Sequence, residues 1–453
     1  MQNIDSNCAY KPFEISDEED VVHVIPVSGG ADSSALALYM HDTFPDRKFI
    51  HFFSDTGAEE SSTYEYLDLI EQKIGAKIER IKPEKDLFQL IDSFSGYLPS
   101  SQSRYCTRIL KLNSFRDWMK KYENQNMIMY VGIRADEATR VAFSVEGVET
   151  VMPFKEMGWG RDKVFSFLSQ RAGIPSQYQT RTRSGCSICP FVRRQETVGL
   201  LQRKPDEFKR GMALEKVEKS DLDRHTIPDT LWKDAKLAPN WVSFPIPKDD
   251  IQMAGNSSHK SDLFESRGIF VAVEFFYSAF PGTDPFIWHQ RFISYSPKLH
   301  SMKTQVDDRY QHLLATAEVY ELSPAEIRTD ARFAIYYIEA PESSFDPDGP
   351  KAKSFTWHNG ESYAQVQHIT EWAMRTLHFE GLSQDARRIV KSELSVEYEW
   401  TEASKKAVEL VLRPGNIPTG NVVEGMWYQP NEAVRVLDKD EAEKLMPCPM
   451  CHI

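Results

Sequence analysis

Val21-Val22-His23-Val24-Ile25-Pro26-Val27-Ser28-Gly29-Gly30-Ala31-Asp32-Ser33 decides the reading of the fold. The β-branched run Val21–Val27 has the composition of a buried strand. It stops at a Ser-Gly-Gly turn, and Ser33–Phe44 continues with helical spacing at Leu36, Leu38 and Met40. A glycine turn between a strand and a helix suits an anion. Without a Cβ, the backbone N–H groups of Gly29 and Gly30 can approach a phosphate closely, and the helix that follows points its positive end at it. Ser28, Ser33 and Ser34 add hydroxyl donors. The loop is not a Walker loop, because no Gly-Lys-Ser/Thr follows the glycines. A plain strand-to-helix turn is the alternative reading of these residues.

Outward from this loop the chain alternates. Lys48–Phe53 and Lys77–Ile81 read as strands, and Ser61–Ile74 as an amphipathic helix with Tyr64, Leu67 and Ile70 on one face. Thr107–Tyr122 reads as a helix, Met127–Gly132 as a strand and Arg161–Ala172 as a helix. That rhythm predicts an α/β fold: a doubly wound, mainly parallel sheet with helices on both faces. The rhythm fades after about residue 220. The expected organisation is a nucleotide-binding domain over 1–227, a Pro- and Gly-marked linker over 228–262, and a C-terminal α+β domain over 263–453. In the last, strands are expected near Ile269–Phe276 and Ala334–Ile338, and helices near Ser362–His378, Gln384–Leu394 and Glu402–Leu412.

Composition narrows the function classes. The chain has 453 residues and a formal net charge of −13, which argues against a globally basic nucleic-acid binder. A local basic island at 181–216, with Arg181, Arg183, Arg193, Arg194, Arg203, Lys204, Lys209, Arg210 and Lys216, still suits either a phosphodiester backbone or a solvated helix face. No apolar run has a membrane helix's length, and Met1–Tyr10 lacks a basic-then-apolar pattern. No membrane association and a cytoplasmic location are expected. Of six cysteines, four form the pairs Cys186/Cys189 and Cys448/Cys451, a spacing that favours metal or redox work in a reducing compartment.

Four ordered segments carry a resemblance. They are the loop Ser28–Ser33; Phe53-Ser54-Asp55-Thr56-Gly57-Ala58-Glu59; Tyr105-Cys106-Thr107-Arg108-Ile109-Leu110-Lys111; and Gly132-Ile133-Arg134-Ala135-Asp136-Glu137 with Arg140. Together they resemble the phosphoadenylyl-sulfate (PAPS) reductase-like branch of the PP-loop ATP-pyrophosphatase superfamily, over about residues 20 to 200. The resemblance implies an adenine nucleotide alpha-hydrolase-like fold. It implies that Ser28, Gly29, Gly30, Asp32 and Ser33 hold a nucleotide's phosphates, with Asp55, Thr56 and Gly132 beside it. Arg134 and Arg140 match phosphate or sulfate oxygens bidentately. Asp32 would either serve a Mg2+ ion or cap the loop.

In iron–sulfur members of the branch, a double cysteine precedes a Cys-x-x-Cys, and the four hold a [4Fe–4S] cluster. Here Tyr105 replaces the first cysteine, which leaves Cys106, Cys186 and Cys189 as metal ligands. A Zn2+ site on Cys186/Cys189 with Cys448/Cys451 is the rival. Reductases of the branch carry a catalytic cysteine within a C-terminal Glu-Cys-Gly-x-His, whereas this chain ends Cys448-Pro-Met-Cys451-His-Ile. The expected activity is therefore ATP-dependent sulfur transfer. ATP is split between its α and β phosphates, an acceptor oxygen is adenylated, and sulfur from a donor such as a cysteine desulfurase displaces AMP. Components of DNA phosphorothioate modification systems combine such a loop with such cysteines and nominate DNA as acceptor. Reduction of an adenylyl sulfate to sulfite, and a nucleotide-sensing subunit without turnover, are the alternatives.

Overall fold

The computed structural model of the chain describes residues 13–15, 21–100, 103–123, 125–142, 146–216, 267–278, 286–296, 298–340, 357, 362–376, 422–428 and 430–431. The expected linker 228–262, the helices at 384–394 and 402–412, and Cys8, Cys448 and Cys451 lie outside them. The chain divides into two compact units. One takes in Met1–Phe191 and Ala315–Glu321, and the other Val192–Leu314 and Leu322–Val436.

The first unit is built on five strands: β1 Val21–Pro26, β2 Phe49–Ser54, β3 Ile78–Ile81, β4 Asn126–Tyr130 and β5 Val148–Val151. All neighbours are parallel, in the order β3-β2-β1-β4-β5. Side chains alternate along each strand, so one face of the sheet takes Ile25, Phe53 and Tyr130 and the other takes Val24, Phe52 and Met129. Helices α1 (Ala31–Thr43), α2 (Ser61–Ile74) and α6 (Arg161–Arg171) cover the first face through Leu36, Leu67 and Leu168. Helix α4 (Ser114–Met119) covers the second through Phe115 and Trp118, whose rings lie 4.9 Å from that of Phe52. Both faces are covered, so this is the doubly wound parallel sheet expected from the strand–helix rhythm. Two short helices, α3 (Leu87–Ser93) and α5 (Pro153–Glu156), complete the unit. Asp86 and Gln89 form a capping box at the start of α3.

The expected helix over 107–122 is not one helix. It is a π-helix over Thr107–Asn113, then α4, then a 3-10 turn over Lys120–Tyr122. Apolar spacing reports that a segment coils; it does not report which carbonyl each N–H chooses, and π turns occur mostly as single-turn insertions at functional sites.

The second unit holds a four-stranded antiparallel sheet, order β7-β6-β8-β9, from β6 Arg267–Ser278, β7 Phe286–Ser296, β8 Ala331–Ala340 and β9 Val422–Trp427. Its helices are α7 Arg194–Arg203, α8 Pro205–Met212, α9 Leu299–Ala315, α10 Pro324–Asp330 and α11 Tyr363–Thr376. Sheet and helices make this unit α+β. At its centre Glu274 is fully buried and takes a forked pair of bonds from Arg309, at 2.6 and 2.9 Å.

Candidate functional site

In an open parallel sheet the ligand crevice forms where the strand order reverses, outside the strand carboxyl ends. Here that point lies between β1 and β4, and the loop Ser28–Gly30 leaves β1 there. Gly29 has φ +71°, a left-handed turn that disfavours a side chain, and a Cβ on it would stand 2.7 Å from Thr63. Ser33 ties the loop: its Oγ accepts from Ser28 N at 3.0 Å, lies 3.0 Å from Ser28 Oγ and donates to Gly30 O at 3.3 Å. Gly30 N-caps α1 and offers no side-chain cap of its own; the first N–H of the helix, on Ala31, is taken by the Tyr178 hydroxyl at 2.9 Å. Gly132, just beyond β4, lies so close that a Cβ would meet Asp32 O at 2.9 Å and Ser33 N at 3.3 Å. Loop, helix start and β4 end are therefore one packed cradle.

Asp32 is committed to Arg134. The carboxylate meets the guanidinium at 2.7 Å, both side chains buried, and Arg134 reaches Asp136 at 2.9 Å. Burial works against the Arg134 charge, yet Asp32, Glu137 and Asp136 together push its pKa upward, so the group stays cationic. Burial pushes the Asp32 carboxyl up, with Arg134 opposing. Asp32 therefore holds Arg134 in place. Arg140 is 8 % exposed and pairs with Glu137 at 2.6 Å through one nitrogen. Its Nε and other terminal nitrogen are buried without a partner among the described residues. An uncompensated buried guanidinium edge is costly unless an anion takes it.

One cation went unread in the sequence. Arg161 opens α6, lies over the Phe165 ring at 4.3 Å and donates to Thr182 O at 3.3 Å, while one terminal nitrogen is buried without a partner among the described residues. Burial, then the Arg134 charge, pulls its pKa down to about 10. The Gly160-Arg161 step at a helix start was the only local cue. Tyr178, also unread, accepts from Ala31 N at 2.9 Å at the mouth of the loop.

Asp55 and Thr56 stand at the carboxyl end of β2. Asp55 accepts from Gly57 N at 2.9 Å and from Tyr64 OH at 2.8 Å. Thr56 Oγ1 donates to Glu59 at 3.0 Å and lies 3.2 Å from Cys186 Sγ. Burial first, then Glu59, pushes the Cys186 thiol well above its ordinary range, against the pull of Lys111. Cys106 is near enough for its charge to act on Cys186, while Cys189 N bonds back to Cys186 O at 3.2 Å. Among the described residues no three His, Cys, Asp or Glu side chains converge as metal ligands. The expected cluster on Cys106, Cys186 and Cys189 finds no gathered donor set among the described residues. The rival zinc site would need Cys448 and Cys451, outside the described residues.

The basic island is largely engaged internally. In the first unit Arg181 pairs with Glu60 at 3.0 Å and Arg183 donates to Phe191 O at 2.8 Å. In the second, Arg193 pairs with Asp308 at 3.2 Å, and Arg194 donates to Tyr295 O at 2.7 Å; Lys209 and Arg210 are exposed. A cavity of about 720 Å3 opens elsewhere, at the end of β3, between Lys82, Phe94 and Trp118. None of its lining residues belongs to the cradle of loop Ser28–Gly30, α1 and Gly132. Among the described residues no helix is long and apolar enough to cross a membrane.

Residues 22–164 match the family described as the phosphoadenosine phosphosulfate reductase domain. An uncharacterized 37.8 kDa protein of Escherichia phage 186 is 26% identical over 253 residues, covering 42% of this chain and 74% of its own. Two uncharacterized proteins of Methanocaldococcus jannaschii are 22% and 24% identical. The alignments cover 51% and 46% of this chain, and only 56% and 45% of those relatives. A solved PAPS reductase from Candida auris, in a phosphate complex, aligns with TM-score 0.31 and 13% identity over 38% of this chain and 82% of its own. The likeness to the phosphoadenosine phosphosulfate reductase domain covers residues 22–164, under half of the chain.

Proposed function

We propose that this chain is an ATP-dependent sulfurtransferase whose nucleotide sits on the β1–α1 loop. The observation that carries the reading is the cradle itself. A glycine loop and the start of α1 stand at the strand-order reversal, and Arg140, in the segment that follows β4, has two buried nitrogens without partners among the described residues. Such a site suits a polyanion, and donors held in place stabilise charge as it develops on a leaving pyrophosphate. In the proposed reaction an acceptor oxygen attacks the α-phosphorus and pyrophosphate leaves. Arg140 and the loop amides hold the leaving group, while Asp32 keeps Arg134 oriented. Mg2+ enters with ATP, held chiefly by the phosphates.

Sulfur, delivered as a persulfide by a donor such as a cysteine desulfurase, then displaces AMP. A second thiol releases the product by attacking the carrier's side of the new S–S bond. DNA is the acceptor we propose, on the resemblance to phosphorothioate modification components. The domain match also favours a second reading, reduction of an adenylyl sulfate to sulfite. Product analysis separates the two: the transferase reading requires AMP and pyrophosphate from ATP when acceptor and sulfur donor are supplied. Sulfite from an adenylyl sulfate with a thiol reductant, and no AMP from ATP, would replace it with the reductase.

A further inference from the structure

One segment, residues 177–187, joins the phosphate loop to the Cys186 thiol. At its start Gln177 donates to Gly29 O at 3.0 Å and accepts from Thr63 Oγ1 at 3.2 Å. Tyr178 takes the Ala31 N–H, and Ser184 lies over Gly30 so closely that a Cβ there would be 2.3 Å from its Oγ. At its end Ser187 N donates to Ala58 O at 2.8 Å, and Cys186 Sγ lies 3.2 Å from Thr56 Oγ1 and 3.4 Å from Glu59 Oε1.

Between these anchors sits Arg181. Its guanidinium meets Glu60, the N-cap residue of α2, at 3.0 Å, and both residues are buried. The same group donates to Gly185 O at 2.8 Å and to Cys186 O at 3.0 Å. One planar fork therefore holds the backbone that carries the thiol against the start of the helix flanking the loop.

We infer that Arg181 is a positioning residue that couples the phosphate loop to Cys186. This rests on the proposed nucleotide site. A phosphate seated against Gly30 has to recruit or displace Ser184. Only Gly185 separates Ser184 from Cys186, and Arg181 grips the carbonyls of both Gly185 and Cys186, so the shift reaches the thiol. Nucleotide occupancy then changes thiol reactivity, and a modified thiol changes nucleotide affinity in turn.

The test is the rate of Cys186 alkylation by iodoacetamide, followed by peptide mass, with and without saturating ATP–Mg2+. Titration calorimetry on the same proteins reports binding. In wild type, ATP is expected to change the rate by about tenfold. Arg181→Met alone strands a buried Glu60 carboxylate and risks misfolding, so it is paired with Glu60→Gln. The pair should still bind ATP while the ATP effect on alkylation falls below about twofold. Arg181→Lys, which keeps the charge but not the fork, should fall between. An equal ATP effect in wild type and in the pair overturns the inference, as does no effect in a wild type that binds ATP. A wild type that does not bind ATP overturns the nucleotide site with it.

Discussion

Replacing Gly132 with alanine probes the phosphate cradle through the backbone alone. The new Cβ would stand 2.9 Å from Asp32 O, 3.0 Å from Asp32 C and 3.3 Å from Ser33 N, whereas ordinary contact begins at 3.4 Å. These are main-chain atoms and cannot rotate aside, so the first turn of α1 must retreat by about half an ångström. Overpacking of this kind costs about 1–3 kcal/mol of stability. The retreat also moves Ser33 N–H at the phosphate end of α1. A lost hydrogen bond to a charged group costs about 1.5–3 kcal/mol, or about 10- to 150-fold in ATP affinity. Titration calorimetry with ATP–Mg2+, alongside thermal unfolding, reads both quantities. Gly75→Ala is the matched control. It ends α2 at φ +65° with nothing within 4 Å of its Cβ, so it should lose about 1–2 kcal/mol through backbone strain and leave ATP affinity unchanged. If Gly132→Ala loses stability as that control does and binds ATP like wild type, the cradle is not the phosphate site.

Three further outcomes follow from buried groups. Arg140→Met removes the partnerless guanidinium edge and should weaken ATP binding at least about tenfold, read by the same calorimetry; unchanged affinity would exclude Arg140 from the site. His51, on β2, is buried with neither ring nitrogen bonded among the described residues, and burial lowers its pKa from 6.5 to about 4. The unfolded chain then binds the extra proton between those values. Stability should fall as pH drops from 6.5 toward 4, by at most about 3 kcal/mol, and His51→Phe should flatten that limb in urea melts. In the second unit Glu215 accepts from Tyr363 N at 2.8 Å at the start of α11, and burial raises its pKa from 4.5 to about 8. The folded state holds the proton longer, so its contribution is full below pH 4.5 and is lost as pH rises through 8. Glu215→Gln should remove that alkaline loss in denaturation series at pH 5 and 8.5, and an unaltered slope would contradict it.

The loop was legible because its physics is local: a strand, two glycines and a helix start lie within a dozen residues, Val21–Ser33. The double winding was legible too, since β-branched runs and helical spacing alternate from Val21 to Ala172. What the sequence could not deliver was the company the loop keeps. Gln177, Tyr178 and Ser184 come about 150 residues after Gly29 and Gly30, and they reach the loop only through the tertiary fold. Arg181 sat in a run of basic residues whose composition suggested a surface, yet it is buried on Glu60. Asp32 could be placed beside the phosphate from its motif, but its Arg134 partner lies 102 positions away. The resemblance implied a cluster on three cysteines, and nothing local in the sequence said that Cys186 would face Glu59 and Thr56.

Hydrogen–deuterium exchange on the full chain, with and without ATP–Mg2+, tests the central claim most directly because it reports where the nucleotide lies. The account predicts slowed exchange at the amides of residues 28–34, at the start of α1, and at 132–140, with the edge strand β3 and the cavity beside it unchanged. Protection confined to the cavity around Lys82, Phe94 and Trp118, or none at 28–34 at an ATP concentration that saturates binding, would contradict it.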